Sequence, residues 1–256
     1  MLNKILSRPP LHEHADAAQR LLGVAELPSG SAELAQLLRS DPAADVRAAA
    51  ARRCGDRPTL VAAWAVEQEA TVREAIVEGI AAALDRLADA AELQAAAGDI
   101  GSQALLAEIA LAAPHAPVRL AAAERVTEEA ALRRLAERAQ DKDRGVARIA
   151  KHRVEAIDRR ASKGEKADAL LAQAEALVEQ PGAIVMAAVE LERRWKALGL
   201  TDDAERLARW QAAGAALQAR FDREREEQRA KAEFDHRLAD WLAGLVATPA
   251  PEALPT

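Results

Sequence analysis

The sequence predicts an all-α protein, an α-solenoid of short helical repeats followed by a helical hairpin or coiled-coil segment. Half of the 256 residues are apolar, 30% are charged, only 2% are aromatic and none is tyrosine. Such a composition, rich in alanine, leucine, glutamate and arginine, is typical of long helices that approach one another closely. A helix-break-helix pattern also recurs through about the first 160 residues, and no β-branched run is long enough for a sheet. Because the chain is longer than a usual single-core domain, we expect stacked units.

Four windows, beginning at Ser31, Pro58, Ser102 and Glu129, carry this pattern. The first helix of each window presents leucines at helical spacing, and a break rich in Asp, Pro, Gln or Glu then separates it from a second helix. A unit of this kind buries its apolar face only by stacking on its neighbours. The leucines predicted to face the stack are Leu34, Leu37, Leu38, Leu60, Leu105, Leu106, Leu132 and Leu135.

A valine opens the second helix of each window, and an arginine follows it directly in the first three. We predict that the valines pack inward and that each arginine reaches a carboxylate or carbonyl of the adjoining repeat. Arg20, 27 residues before Arg47, is predicted to belong to an N-terminal half-unit. The valines are Val46, Val72, Val118 and Val146, and the arginines predicted to tie the repeats together are Arg20, Arg47, Arg73 and Arg119.

One further unit is predicted in degenerate form, because 46 residues separate Arg73 from Arg119. It has a short first helix around Leu84 and Leu87, and its second helix has Leu93 and Gln94 at the Val-Arg positions. In the intact units, Asp45 and Pro117 are expected to start their second helices, by capping or by occupying the first turn.

The Val-Arg pairs followed by small residues resemble the HEAT repeat family over residues 11–158. The resemblance implies a solenoid that binds other macromolecules. The units are shorter than usual HEAT repeats, and tetratricopeptide and armadillo repeats remain alternatives, although the Trp-Gly-Tyr signature of tetratricopeptide repeats is missing.

The C-terminal third, residues 166–246, is predicted to form a helical hairpin or coiled coil behind a polar, flexible joint interrupted by Gly164. Its three helices are expected to break at 180–182 and 198–200. One apolar stripe on the last helix carries Leu207, Trp210, Leu217 and Phe221. The Pro-rich tail, residues 247–256, is predicted to be disordered.

The order of elements resembles bacterial helical proteins that carry the domain of unknown function 349 behind an N-terminal repeat region. The segments that carry this resemblance are AQDKDRGVARIAKHRV, LERRWKALG with Trp195, and ERLARWQAAGAALQARFDRE with Trp210. The chain holds at most one such C-terminal unit, so we expect a short member of this group or a fragment of a longer protein. The resemblance implies no activity.

Composition and motifs argue against catalysis. The chain has no Walker loop, dinucleotide-binding turn, nucleophile elbow or HExxH motif. Its one cysteine, Cys54, excludes an internal disulfide and is expected to fill space. His12 and His14 lie two residues apart and therefore do not share a helical face, which disfavours a metal site. We expect no enzyme activity, cofactor or metal, no membrane span, and a cytoplasmic location.

The net charge of −6 conceals a basic stretch, since residues 141–166 carry 9 basic and 5 acidic side chains. Arg144, Arg148 and Lys151 fall on one helical face and form the best candidate patch, although a solvated helix balanced by nearby acids is the commoner outcome. The complete set of partner-binding candidates is Trp64, Arg144, Arg148, Lys151, Arg153, Trp195 and Trp210. Trp195 and Trp210 are expected more as core residues than as partner contacts.

We therefore predict a non-enzymatic scaffold that binds another protein through the solenoid groove and the C-terminal helices. The main alternative is a nucleic-acid-binding or DNA-repair-related protein that uses the basic stretch near residues 142–160. The acidic balance of residues 1–140, 15 basic against 20 acidic side chains, disfavours it. A cofactor-handling lyase or chaperone-like accessory is a third possibility.

Overall fold

The computed structural model describes residues 10–246, and the tail predicted to be disordered lies outside them. Within this range every regular element is helical, which confirms the all-α prediction. A 3-10 turn at Leu11–Glu13 precedes the α-helices. These are α1 Ala17–Glu26, α2 Ala32–Ser40, α3 Ala44–Cys54, α4 Arg57–Val66, α5 Ala70–Asp85, α6 Ala90–Gly98, α7 Gln103–Ala112, α8 Ala116–Arg125, α9 Glu129–Ala139, α10 Arg144–Glu179, α11 Val185–Leu198 and α12 Ala204–Val246.

The chain divides into two compact units, with the boundary after Ile157. The first unit contains α1 to α9 and the beginning of α10. The second unit contains the remainder of α10 together with α11 and α12. One continuous helix therefore contributes to both cores.

Unit 1 is a solenoid-like stack in which helices pack mainly on their neighbours in the chain. Helix α3 packs against α1, α2 and α5, and α7 packs against α5, α8 and α9. The leucines and valines predicted to face inward are all buried, and Leu37, at 9%, is the most exposed of them. Burial of one apolar stripe per helix thus holds the stack together.

Small residues let the second helices of neighbouring repeats approach one another. Gly79 of α5 lies against α3, and a Cβ built on it would be 2.5 Å from the carbonyl oxygen of Ala51. Ala48, Ala50 and Ala51 of α3 are likewise buried. The alanine-rich composition therefore corresponds to close helix packing rather than to disorder.

Side chains cap most of the first helices of the repeats. Ser31, Asp56 and Ser102 each accept a hydrogen bond from the backbone N–H three residues later. Pro117 occupies the first turn of α8, as predicted. Asp45 also lies in the first turn of α3, but it does not cap the helix, because the N-cap residue is Ala43 and no side chain caps it.

The predicted first helix of the degenerate unit is also wrong. Helix α5 continues for 16 residues to Asp85 and includes Leu84, which is fully buried within it. The alanines before Leu84 contain no helix breaker, so the helix of the preceding unit propagates through them. The degenerate unit consequently has one helix, α6, on which Leu93 is buried.

The predicted flexible joint is replaced by helix. Helix α10 runs without interruption from Arg144 to Glu179 and includes Gly164. One interior glycine costs a helix only about 1 kcal/mol relative to alanine, and the surrounding Ala, Lys, Glu and Arg residues are good helix formers. The pattern break at Gly164 is therefore too weak to end the helix.

Unit 2 packs the C-terminal part of α10, α11 and the first half of α12 around one core. The rings of Trp195 and Trp210 stack with their centroids 4.4 Å apart. The predicted stripe on α12 is confirmed, because Leu217 is buried and Leu207, Trp210 and Phe221 pack against this core. Beyond Phe221 the side chains of α12 are largely exposed. All of the side chains from residue 225 to residue 243 are exposed.

Candidate functional site

Three of the four repeat arginines make the same set of contacts. Arg47 donates through Nη1 to the carbonyls of Asp41 and Pro42, in the break before its own helix, and through Nε to Glu67 Oε2 at 2.8 Å, in the break of the next repeat. Arg20 contacts Asp41, and Arg119 contacts Asp143, in the same manner. We call these three ion pairs the arginine ladder. Each arginine joins two breaks through its Nε and Nη1 groups, so its guanidinium is already bound within the stack.

The carboxylates of the ladder also accept backbone N–H groups at or just before the start of the next helix. Asp41 Oδ1 accepts from Ala43 N, Glu67 Oε1 accepts from Glu69 N, and Asp143 Oδ1 accepts from Val146 N. Asp41 is the one buried charged side chain among the described residues, with 6% exposure. Each carboxylate therefore binds an arginine from one repeat and backbone N–H groups of the break or first turn that follows.

All three carboxyl groups have a pKa below the ordinary value. For Asp41, burial is the largest single influence and acts to raise the pKa, but the hydrogen bonds from Arg20 and Ala43 outweigh it. The hydrogen bond from Arg47 is the main cause of the lowered pKa of Glu67. For Asp143 the main cause is the backbone N–H of Val146, with Arg119 contributing.

Arg73 departs from this pattern. Its Nη1 donates to the carbonyl of Glu67 at 3.0 Å, within its own repeat, and its guanidinium lies 3.8 Å from the centroid of the Trp64 ring. The break that follows, residues 86–89, carries Asp89, but the side chain of Asp89 caps α6 by accepting from Ala91 N. The prediction that Arg73 ties two repeats together is therefore wrong, and a cation–π contact replaces the ion pair.

The predicted tryptophan contacts are mostly internal. Trp64 is only 7% exposed beneath Arg73, and Trp195 is also 7% exposed in the core of unit 2. Trp210, stacked on Trp195, is partly buried. Trp64 and Trp195 are thus buried more deeply than an interface anchor would be, and the positions of Trp195 and Trp210 fit the core role that the sequence favoured for them.

Arg153 has a structural role as well. Its guanidinium donates to the carbonyls of Val126 and Glu124, at the C-terminal end of α8. These carbonyls have no partner within their own helix, and a cation is favourable at that end. Arg153 therefore caps α8 and is not available as a free basic group.

Arg144, Arg148 and Lys151 differ from the other candidates because they are exposed and have no carboxylate within ion-pair distance among residues 10–246. They stand at three- and four-residue spacing on α10, so they share one face of the helix. We call these three residues the basic ridge. The ridge is the predicted patch that keeps its charge free for a ligand.

Grooves lie on either side of Arg148. The first groove, of about 560 Å³, runs between α6, α8 and α10 and includes Arg125, Ile149 and His152 in its lining. The second groove, of about 520 Å³, runs between α9 and α10 and is lined by Ala136, Glu137, Gln140 and Ala147 with the ridge. Arg148 contributes to both linings. We call the ridge and the two grooves the end surface, because they lie at the C-terminal end of the solenoid.

Sequence reasoning did not find Arg125, His152 and Gln94 as members of this surface. His152 lies four residues after Arg148 on the same helix, which is a signal for a shared face. Gln94 occupies the arginine place of the degenerate unit and donates to Glu124 Oε2 at 2.7 Å, across to α8. No sequence signal places Arg125 in the groove, because the packing of α8 on α6 determines its position.

An exposed apolar stripe near the end of α12 was also not predicted from the sequence. Phe234, Leu238, Trp241 and Leu242 are between 42% and 61% exposed. They follow one another at steps of four, three and one residues, which places them on one side of the helix.

Other chemistry has little support in the described part of the chain. Cys54 is fully buried, and burial raises the pKa of its thiol, as expected for a space-filling residue. Within residues 10–246 no group of three or more His, Cys, Asp or Glu side chains is arranged to hold a metal ion. No described helix is long and apolar enough to cross a membrane.

Comparisons of the chain with protein-family models, with curated proteins and with solved structures give no match. The HEAT-like resemblance and the resemblance to proteins with the domain of unknown function 349 therefore stay predictions. The residues of the end surface are the available basis for a functional proposal.

Proposed function

We propose that this chain is a non-enzymatic scaffold that binds another protein through the end surface of a HEAT-like solenoid. The observation that carries the proposal is the basic ridge, three unpaired cations that line the second groove, of which Arg148 also lines the first. In the arginine ladder, by contrast, every cation is bound to a carboxylate. Unpaired charge beside shallow grooves supports macromolecular recognition more than catalysis, which requires an enclosed site with convergent reactive groups.

The rigid framework around the ridge supports the same proposal. Val146 and Ala150 of α10 are fully buried, and Arg153 binds α8. The helix that presents the ridge is thus fixed on the solenoid by both apolar and polar contacts. A preorganised surface of this kind loses little conformational freedom on binding.

A photo-crosslinking experiment tests the scaffold proposal. A photoreactive phenylalanine replaces His152 in the first groove, and the matched control carries it at Arg39, an exposed position on α2. We expect crosslinking in cells to join a protein partner to the His152 position only, and the purified partner to lose binding on Arg148→Glu. Equal crosslinking at both positions, or a partner indifferent to Arg148→Glu, would contradict the proposal.

Nucleic acid is the second candidate, and the same basic ridge favours it. Phosphate-dominated binding loses affinity steeply as salt rises, with a slope that reports the number of phosphates contacted. A gel-shift titration at several salt concentrations, repeated with Arg144→Glu and Lys151→Glu, separates the two proposals. Micromolar binding lost both with salt and with these substitutions would replace the protein-binding proposal.

A further inference from the structure

We infer that the end surface binds an acidic helix of a partner protein, whose carboxylates align with the basic ridge. This inference rests on the proposed scaffold function and specifies the partner segment. The ridge residues Arg144, Arg148 and Lys151 follow at steps of four and three residues on α10. They therefore span about 10 Å along the helix, given a rise of about 1.5 Å per residue.

The spacing of the ridge suits a helical ligand. A second helix with Glu or Asp at four- and three-residue steps presents its carboxylates at the same intervals of about 6 and 4.5 Å. Three pairs then form with both helices in regular geometry. An arginine such as Arg144 or Arg148 also binds a carboxylate through two parallel hydrogen bonds.

The second groove presents small side chains to an approaching helix. Ala136 of α9 and Ala147 of α10 are small, partly buried residues on its lining. Small side chains allow close packing between helices, and helix-in-groove recognition combines an apolar contact line with flanking charges. Ile149, partly buried on the first groove, gives the same contact on the other side of Arg148.

The surroundings of the ridge favour a protein ligand over a nucleic acid. Glu137 lies on the lining of the second groove and Glu124 on that of the first. Residues 1–157 carry 20 basic and 23 acidic side chains, a net charge of −3. A broad phosphate backbone would meet many of these carboxylates, whereas a helix with one acidic face directs its carboxylates at the ridge and its neutral side chains at Glu137.

Synthetic peptides test this inference on the full chain. We would label three alanine-rich peptides with fluorescein: one with Glu at steps of four and three residues along one face, one with Gln at the same positions, and one with the same number of Glu residues spread around the helix. A short DNA duplex is the fourth probe. Fluorescence anisotropy at about 0.15 M salt measures each affinity.

We expect the face-patterned Glu peptide to bind about tenfold more tightly than the spread peptide, since it can form three exposed ion pairs with the ridge at once and the spread peptide about one. Arg148→Glu should weaken its binding about tenfold or more, and the matched charge reversal Arg39→Glu should leave it within about twofold. Circular dichroism of both variants excludes unfolding as the cause.

Three results would overturn the inference: equal affinity for the patterned and spread peptides, tighter binding of the duplex, or no binding of the patterned peptide. If the patterned peptide fails while the His152 crosslink still captures a partner that depends on Arg148, only the acidic-helix inference is wrong. If the crosslink fails as well, the scaffold proposal falls with it.

Discussion

Asp41 is the residue on which the N-terminal end of the arginine ladder depends. Its two carboxylate oxygens accept from Arg20 Nε at 2.7 Å and Arg20 Nη2 at 2.9 Å, and one of them also accepts from the N–H of Ala43. Removing the negative charge leaves Arg20 without its partner in a poorly solvated place. The stability lost therefore has two causes: the ion pair is removed, and the cation of Arg20 is left unpaired.

We expect Asp41→Asn to lower the free energy of unfolding by about 2–3 kcal/mol, measured by urea denaturation at neutral pH. Asp45→Asn is the matched control, because Asp45 is exposed and caps no helix. Its cost should be about 0.5 kcal/mol or less, the loss of an acidic group near a helix N-terminus. Similar costs for the two variants would show that the ladder does not stabilise the solenoid.

The ladder also predicts how stability depends on pH. Asp41, Glu67 and Asp143 have lowered pKa values in the folded chain, so between the folded and unfolded pKa values the unfolded chain binds more protons. The three carboxylates contribute fully to stability above their pKa values in the unfolded chain, about 4. This contribution is lost as the pH falls through their lower pKa values in the folded chain. Urea midpoints measured from pH 7 to pH 3 should fall in acid, and fall less steeply for Asp41→Asn. Parallel curves would contradict this assignment.

At the scale of the helix, two interior glycines have opposite surroundings. Gly79 of α5 faces the carbonyl of Ala51, whereas no atom lies within 4 Å of a Cβ built on Gly214 of α12. We expect Gly79→Ala to destabilise the chain by about 2 kcal/mol through overpacking, and Gly214→Ala to stabilise it by about 0.5–1 kcal/mol. Thermal unfolding followed by circular dichroism measures both. A stabilising Gly79→Ala would disprove the close approach of α3 and α5.

Two tryptophans of the C-terminal helices differ in burial, and their substitution should therefore differ in its effect on stability. Trp195 is 7% exposed and stacked on Trp210, whereas Trp241 on the extension of α12 is 61% exposed. Trp195→Ala should cost about 3–5 kcal/mol, and Trp241→Ala should stay within about 0.5 kcal/mol. Urea denaturation followed by circular dichroism at 222 nm compares them. A large cost for Trp241→Ala would mean that the extension of α12 is packed rather than free.

At the scale of the whole molecule, the continuity of α10 is the feature that the sequence interpretation missed. The Cβ of an alanine at Gly164 would meet only the guanidinium of Arg206, at 3.4 Å, which is an ordinary van der Waals distance. Gly164→Ala should therefore stabilise the chain by about 0.5–1 kcal/mol, and Gly164→Pro should destabilise it by about 3 kcal/mol. Hydrogen exchange of residues 158–168 and urea denaturation measure the effect. If Gly164→Pro were well tolerated, α10 would not be continuous there, and the predicted flexible joint would be correct.

The sequence by itself determined the helical class, the inward leucines and valines, the recurring arginines and the stripe on α12. These follow from helical periodicity and from local signals, which act over a few residues and need no knowledge of the fold. Tertiary structure decided the rest. Packing determined that Arg73 lies over Trp64, that α5 extends to include Leu84, and that α10 is continuous at Gly164. It also brought Arg125, Gln94 and the basic ridge to one surface, because residues far apart in the chain meet only when the repeats stack.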